Sequence, residues 1–191
     1  MVHRMHTMHT IFMVCTVASA IVAAGFAGGT AQAQVDAAAL RAKLMTLDEP
    51  EEALTPTAAK ETLLAAGAGR EPQPIVLAGR INAKGMEPFL ENKASFVLLE
   101  IPADDHAGKA GHDADNCPFC KKRSANAPMV AVQFVGSDGK VLPLDARKLF
   151  GVQKGQEVVV SGKAVFDPKL SIPVIQLTAD SIHVRKPVAK K

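Results

Sequence analysis

The sequence predicts a mainly β protein: a five-stranded antiparallel barrel with a short helix between strands three and four, preceded by short N-terminal helices. Three observations predict it. Runs rich in branched and apolar residues recur after residue 74, several alternating with polar ones. Turn signals separate them, the sharpest being Asp138-Gly139. Ahead of residue 71 the pattern is Ala-rich and of helical period instead. With 48% hydrophobic and 21% charged residues in 191, the composition is that of a globular chain and excludes collagen-like, coiled-coil and wholly disordered classes.

Residues 1–33 read as an address. Arg4 and three histidines precede an apolar stretch over 11–27, and small residues end in Ala31-Gln32-Ala33. This pattern is a secretory signal peptide with an A-x-A site, cleaved between Ala33 and Gln34. The expected location is therefore exported, periplasmic or secreted. Membrane attachment would come only from this segment left uncleaved, and its apolar run is near the lower spanning limit of about 17 residues. Val14 before Cys15 speaks against a lipoprotein. Cleavage removes Cys15, His3, His6 and His9, so the mature chain keeps Cys117, Cys120, His106, His112 and His183.

Residues 34–71 form a helical segment and linker. Val35, Leu40, Leu44 and Leu47 fall near helical spacing over 34–47, and Pro50 with the acidic residues of 48–52 stops that helix. Thr55 as N-cap and Pro56 at the first position start a second helix, which runs through Leu63 and Leu64 towards Gly67. Glu71-Pro72-Gln73-Pro74 is an extended linker. These helices can pack on the next domain or tether it; the sequence leaves both open.

The β domain spans 72–186. Its strands fall at 75–81, 95–101, 129–135 and 157–165, and the last comes in two runs, 172–177 and 181–184. Residues 140–142 return from the turn at 136–139. Pro143 and Asp145 open a short helix over 146–150 that Gly151 closes. The tail from Arg185 to Lys191 is basic and short and is expected to be disordered, with 187–191 set beyond the β domain.

Gly79 lies inside the first strand, where a small residue lets a barrel strand bend. In Gly155-Gln156-Glu157-Val158-Val159-Val160-Ser161-Gly162-Lys163-Ala164 a glycine-led turn precedes a V-x-V-x-G strand. With the helix between strands three and four, these features resemble OB-fold proteins, and the chain resembles the small exported bacterial OB-fold proteins. The resemblance covers 72–186 and is one of fold pattern. It implies the barrel and no defined activity. Another small antiparallel barrel or sandwich is the alternative architecture.

One stretch outside that pattern carries chemistry. Between strands two and three lie Asp104, Asp105, His106, His112, Asp113, Asp115, Cys117, Pro118, Phe119, Cys120 and then Lys121-Lys122-Arg123. Four readings compete. In the first, Cys117, Cys120, His112 and His106 hold zinc or another transition metal: Cys-x-x-Cys puts two thiolates on one turn and the histidines complete four N/S donors. Asp113 or Asp115 can replace one histidine. In the second, Cys-Pro-Phe-Cys resembles the motif of glutaredoxin-like oxidoreductases, which implies Cys117 as attacking thiolate and Cys120 as resolving thiol, though no βαβ context surrounds it. In the third, the two cysteines form a structural disulfide in a non-catalytic scaffold. In the fourth, Cys120-Lys121 resembles the lysine-ligated haem motif of cytochrome c nitrite reductases, with nothing else in common.

The remaining residues read plainly. His183 is expected to face solvent from a strand. Phe96 and Phe134 are expected in the core. The basic runs are solvated faces. The acidic residues lack EF-hand spacing, and no P-loop, HExxH or Gly-x-Ser-x-Gly pattern occurs. Nucleic acid is not a favoured partner: the net charge is +3, and there is no Trp or Tyr to stack bases. The partner is left as an unidentified protein or small molecule.

Overall fold

The computed structural model describes residues 36–67, 71–101, 117–118, 122, 127–170 and 174–186. The signal peptide read at 1–33 and the tail at 187–191 lie outside the described residues. In chain order the elements are α1 (Ala37–Leu44), α2 (Pro56–Ala65), β1 (Gln73–Ile81), β2 (Ser95–Leu99), β3 (Met129–Phe134), α3 (Ala146–Phe150), β4 (Glu157–Phe166) and β5 (Val174–Val184). The strands close into a ring in the order β1-β2-β3-β5-β4, with β4 pairing back onto β1.

The expectation of an antiparallel sheet is corrected. β3 and β5 run parallel, from Met129 opposite Val174 to Phe134 opposite Ala179, so the sheet is mixed. Parallel neighbours need a long connection. Here the chain supplies one, through α3 and all of β4, before β5 comes to lie beside β3. Alternation within a strand shows which side chains face inward. It does not encode the direction of the neighbour.

The two runs expected for the last strand are one eleven-residue strand, β5, carrying a bulge. Ser161 faces Ser181, but Gly162 faces Ala179, so Asp180 is the extra residue. The inward set Ile175, Leu177 and Ala179 thereby shifts phase and continues at Ile182. That phase shift is why the sequence reads as two runs. The bulge also explains Gly162: a Cβ there would overlap the Thr178 carbonyl oxygen and lie 2.8 Å from Ala179 Cα. Gly79 has a similar role, since a Cβ on it would lie 2.9 Å from Leu98 Cβ, where β1 crosses β2.

Inside the ring, Leu77, Ile81, Phe96, Leu98, Phe134 and Phe166 are among the fully buried side chains. Phe89, Phe96, Phe134 and Phe150 form a line of ring contacts at 6.3, 6.2 and 4.6 Å. Phe96 and Phe134 are thus core residues, as expected. Each such side chain contributes about 1.5–3 kcal/mol on burial, against about 0–1 kcal/mol for an exposed ion pair. The apolar interior therefore decides stability.

Helices close both ends. α3 starts on an Asp145 cap, whose Oδ1 accepts from Arg147 N at 2.9 Å. It buries Ala146, Leu149 and Phe150 near the start of β2 and the end of β3. α2 starts with Thr55 as cap and Pro56 at its first position, as expected, and buries Ala59 and Leu63 against β1 and β4.

The N-terminal helices therefore pack on the ring. The segment also fills two gaps in its hydrogen bonding. β2 pairs with β1 only at Arg80 and Ile81, and Leu54 takes the uncovered edge, donating to Val76 O and accepting from Ala78 N, both at 2.9 Å. β3 ends opposite Ala179, and beyond it Met45 and Thr46 pair with Ile182, Thr46 N donating to Ile182 O at 2.9 Å. Uncovered strand edges need such partners. This pairing also ends α1 at Leu44, earlier than Pro50 would require. Likewise Gln73 and Pro74, expected in a linker, already belong to β1.

Candidate functional site

The cysteine- and histidine-bearing insert leaves the ring after β2 and returns at β3. Leu98 and Val130 are register partners, so its two roots are neighbours. Both are fixed by side chains from other elements. At the first, Glu100 Oε2 accepts from Thr57 N at 3.0 Å and Thr57 Oγ1 at 2.8 Å. Thr57 lies in the first turn of α2, where backbone N–H groups lack helical partners and a carboxylate is favoured. At the second, Lys84 Nζ donates to Ala127 O at 2.9 Å. Pro128 beside it is buried.

Of the four predicted ligands, Cys117 is described and is half-buried. His106, His112 and Cys120 lie outside the described residues, as do Asp104, Asp105, Asp113 and Asp115. Pro118, which follows Cys117, is helical, and so is the exposed Lys122. Among the described residues no group of three or more His, Cys, Asp or Glu is arranged to hold a metal ion.

His183 departs from expectation. It does not face solvent: its side chain is 17% exposed, beneath residues 46–49. Nδ1 lies 3.2 Å from Thr46 O, and Nε2 lies 4.0 Å from Glu49 Oε2. Two residues on, Arg185 corrects the expectation of a disordered tail starting there: fixed by its backbone bond to Glu157 O, it joins two carboxylates. Its Nη2 is 2.6 Å from Glu49 Oε1, its Nε donates to the same carboxylate, and its Nη1 is 3.1 Å from Glu157 Oε2. Its hydrogen bond with Arg185 holds the Glu49 carboxyl below the usual range, against the effect of partial burial, and the pairing raises Arg185 in turn. The sequence reading missed this cluster. Glu49 and Arg185 are 136 positions apart, and each reads locally as a solvated charge.

A second ion pair serves the fold. Arg147 Nη2 lies 2.6 Å from Asp145 Oδ2, and this hydrogen bond holds the Asp145 carboxyl down at about 2 despite desolvation.

No protein-family model and no curated protein matches this chain. Among the described residues no helix is long and apolar enough to cross a membrane.

Proposed function

We propose that this chain is an exported, OB-type binding module whose insert between β2 and β3 holds zinc or a similar transition metal. The ring order and the helix between the third and fourth strands support the OB-type reading. The leader pattern at 1–33 supports export; N-terminal sequencing of the mature protein should begin at Gln34.

One observation carries the metal reading. Cys117, Cys120, His112 and His106 are concentrated in one insert, and the two roots of that insert are fixed on the ring. Two thiolates and two imidazoles fit a borderline-soft cation taking four ligands. Fixed roots reduce the loop entropy that gathering four donors must overcome. Bound there, the metal would act as a cross-link; a donor set lacking His106 would leave a position for a ligand.

A specific observation also favours thiol–disulfide exchange as a second reading. Cys117 immediately precedes a helical proline, and the start of a helix favours a thiolate. Cys117 would then attack a substrate disulfide and release one thiolate, and Cys120 would resolve the mixed disulfide, leaving Cys117–Cys120 oxidised and the substrate as a dithiol.

Elemental analysis with thiol counting, on protein purified anaerobically, separates the readings. The metal reading expects about one equivalent of metal, lost in Cys117→Ser and reduced in His112→Ala. Metal-free protein whose two thiols interconvert with a disulfide under a dithiol reductant supports exchange. A disulfide that no redox partner turns over marks a structural scaffold.

A further inference from the structure

We propose that the N-terminal arm, residues 36–49, is an acid-released strap, held on β5 through Glu49 and able to lift while the ring stays folded.

The arm is attached at a few named points. Leu44 enters the core with Leu40 and Met45 packed against it, Thr46 N bonds Ile182 O, His183 Nδ1 lies 3.2 Å from Thr46 O, Arg41 Nη2 reaches Phe150 O at 3.4 Å, and Glu49 grips Arg185. Of these contacts, only the grip on Arg185 depends on a group that loses its charge in acid. The groups facing Glu49 are unequal. Arg185, just beyond β5, is permanently cationic. His183 on β5 faces Glu49 as well, its Nε2 4.0 Å away. From β4, Glu157 faces the same guanidinium, and its own register partner on β1 is Arg80. Along the arm and just past it, Asp48, Glu51 and Glu52 are exposed.

The ring keeps its own pair when the arm leaves. Glu157 accepts from Arg185 Nη1, and Arg185 N donates to Glu157 O at 3.1 Å. Arg185 is therefore not stranded. Protonating Glu49 removes the negative charge that balances Arg185 on the arm's side. Because the Glu49 carboxyl is held low in the closed arm, the linkage has a definite sign. The hold is complete above the ordinary glutamate range and is lost as pH falls through the closed-state value. Opening uncovers the β5 edge at Ile182 and the Leu44 seat beside α3.

The test is hydrogen exchange by mass spectrometry on the full chain, from pH 7 to pH 3.5, corrected for intrinsic rates. Peptides from 37–47 should lose protection by roughly two- to fivefold, the effect of one exposed ion pair, while peptides from β4 keep theirs. Glu49→Gln should show the loosened arm already at pH 7 and, past the first turn of α1 that Asp36 caps, no further acid loss. Glu157→Gln, which leaves the grip on Glu49 in place, should keep the acid response. Arm protection that is flat with pH, arm and ring losing protection together, or a Glu49→Gln arm as protected as the parent's would each overturn the proposal.

Discussion

Two long connections of the ring are built in opposite ways. The β3–β4 connection, 135–156, buries Leu142, Ala146, Leu149, Phe150 and Val152 and closes one end of the ring. The β2–β3 connection is as prominent, yet over 102–126 Phe119 is its only large aliphatic or aromatic side chain. The first segment orders itself by removing apolar surface from water. The second has almost none to remove, and fixing a backbone costs about 1–2 kcal/mol per residue. Its candidate sources of order are its two pinned roots and its ligand-type side chains. The contrast teaches that burial accounts for the β3–β4 connection but offers little to the β2–β3 one, for which the proposed metal cross-link would supply a different source of order. Metal binding would then be local folding energy for the insert.

The largest expected effect is on the burial side. Phe150→Ala removes a fully buried ring whose centroid lies 4.6 Å from that of Phe134, tilted against it, and should destabilise the protein by about 3–5 kcal/mol, read as a lower thermal midpoint. If the midpoint hardly moved, α3 would not be closing the ring. Next comes the bulge. Gly162→Ala sets a Cβ against the backbone of Thr178 and Ala179 and should cost about 1–3 kcal/mol in urea unfolding.

Asp145→Ala is smaller, about 1 kcal/mol for a lost cap, and has a pH signature. The Asp145 carboxyl titrates at about 2 in the native state against 3.8 ordinarily. A depressed native value means that its contribution is complete above the unfolded value and is lost as pH falls from about 4 towards 2. Acid titration of stability should therefore be shallower over that range in Asp145→Asn. The smallest effect sharpens the contrast. With metal stripped, Cys117→Ser should leave ring stability within about 0.5 kcal/mol. A larger loss would make the insert part of the core.

Legibility in the sequence followed the same division. Caps and turns were readable because they are local: Thr55-Pro56, Asp145 with Gly151, and Asp138-Gly139, where Asp138 Oδ1 accepts from Lys140 N at 3.1 Å. Inward-facing residues were readable from alternation until the Asp180 bulge changed the phase. The parallel β3–β5 pair was not readable, since strand direction is a property of connectivity through the whole chain. Nor was the seat of residues 45–54, because β1 and β5 edges left uncovered by short neighbours recruited it. For the site, residue types and spacing at Cys117 and Cys120 were legible, while the pinning of the insert by Thr57 and Lys84 was not. Those contacts join residues 43 positions apart and follow from the closed ring.

The central claim, that chemistry rather than burial organises the insert, is tested most directly by X-ray absorption at the metal edge of the purified protein. The account predicts two sulfur neighbours at about 2.3 Å and two nitrogen neighbours at about 2.0–2.1 Å from zinc, with both sulfurs lost from the shell in a Cys117→Ser, Cys120→Ser variant. A shell of oxygen and nitrogen alone, or a bound metal unchanged by that double substitution, would contradict it.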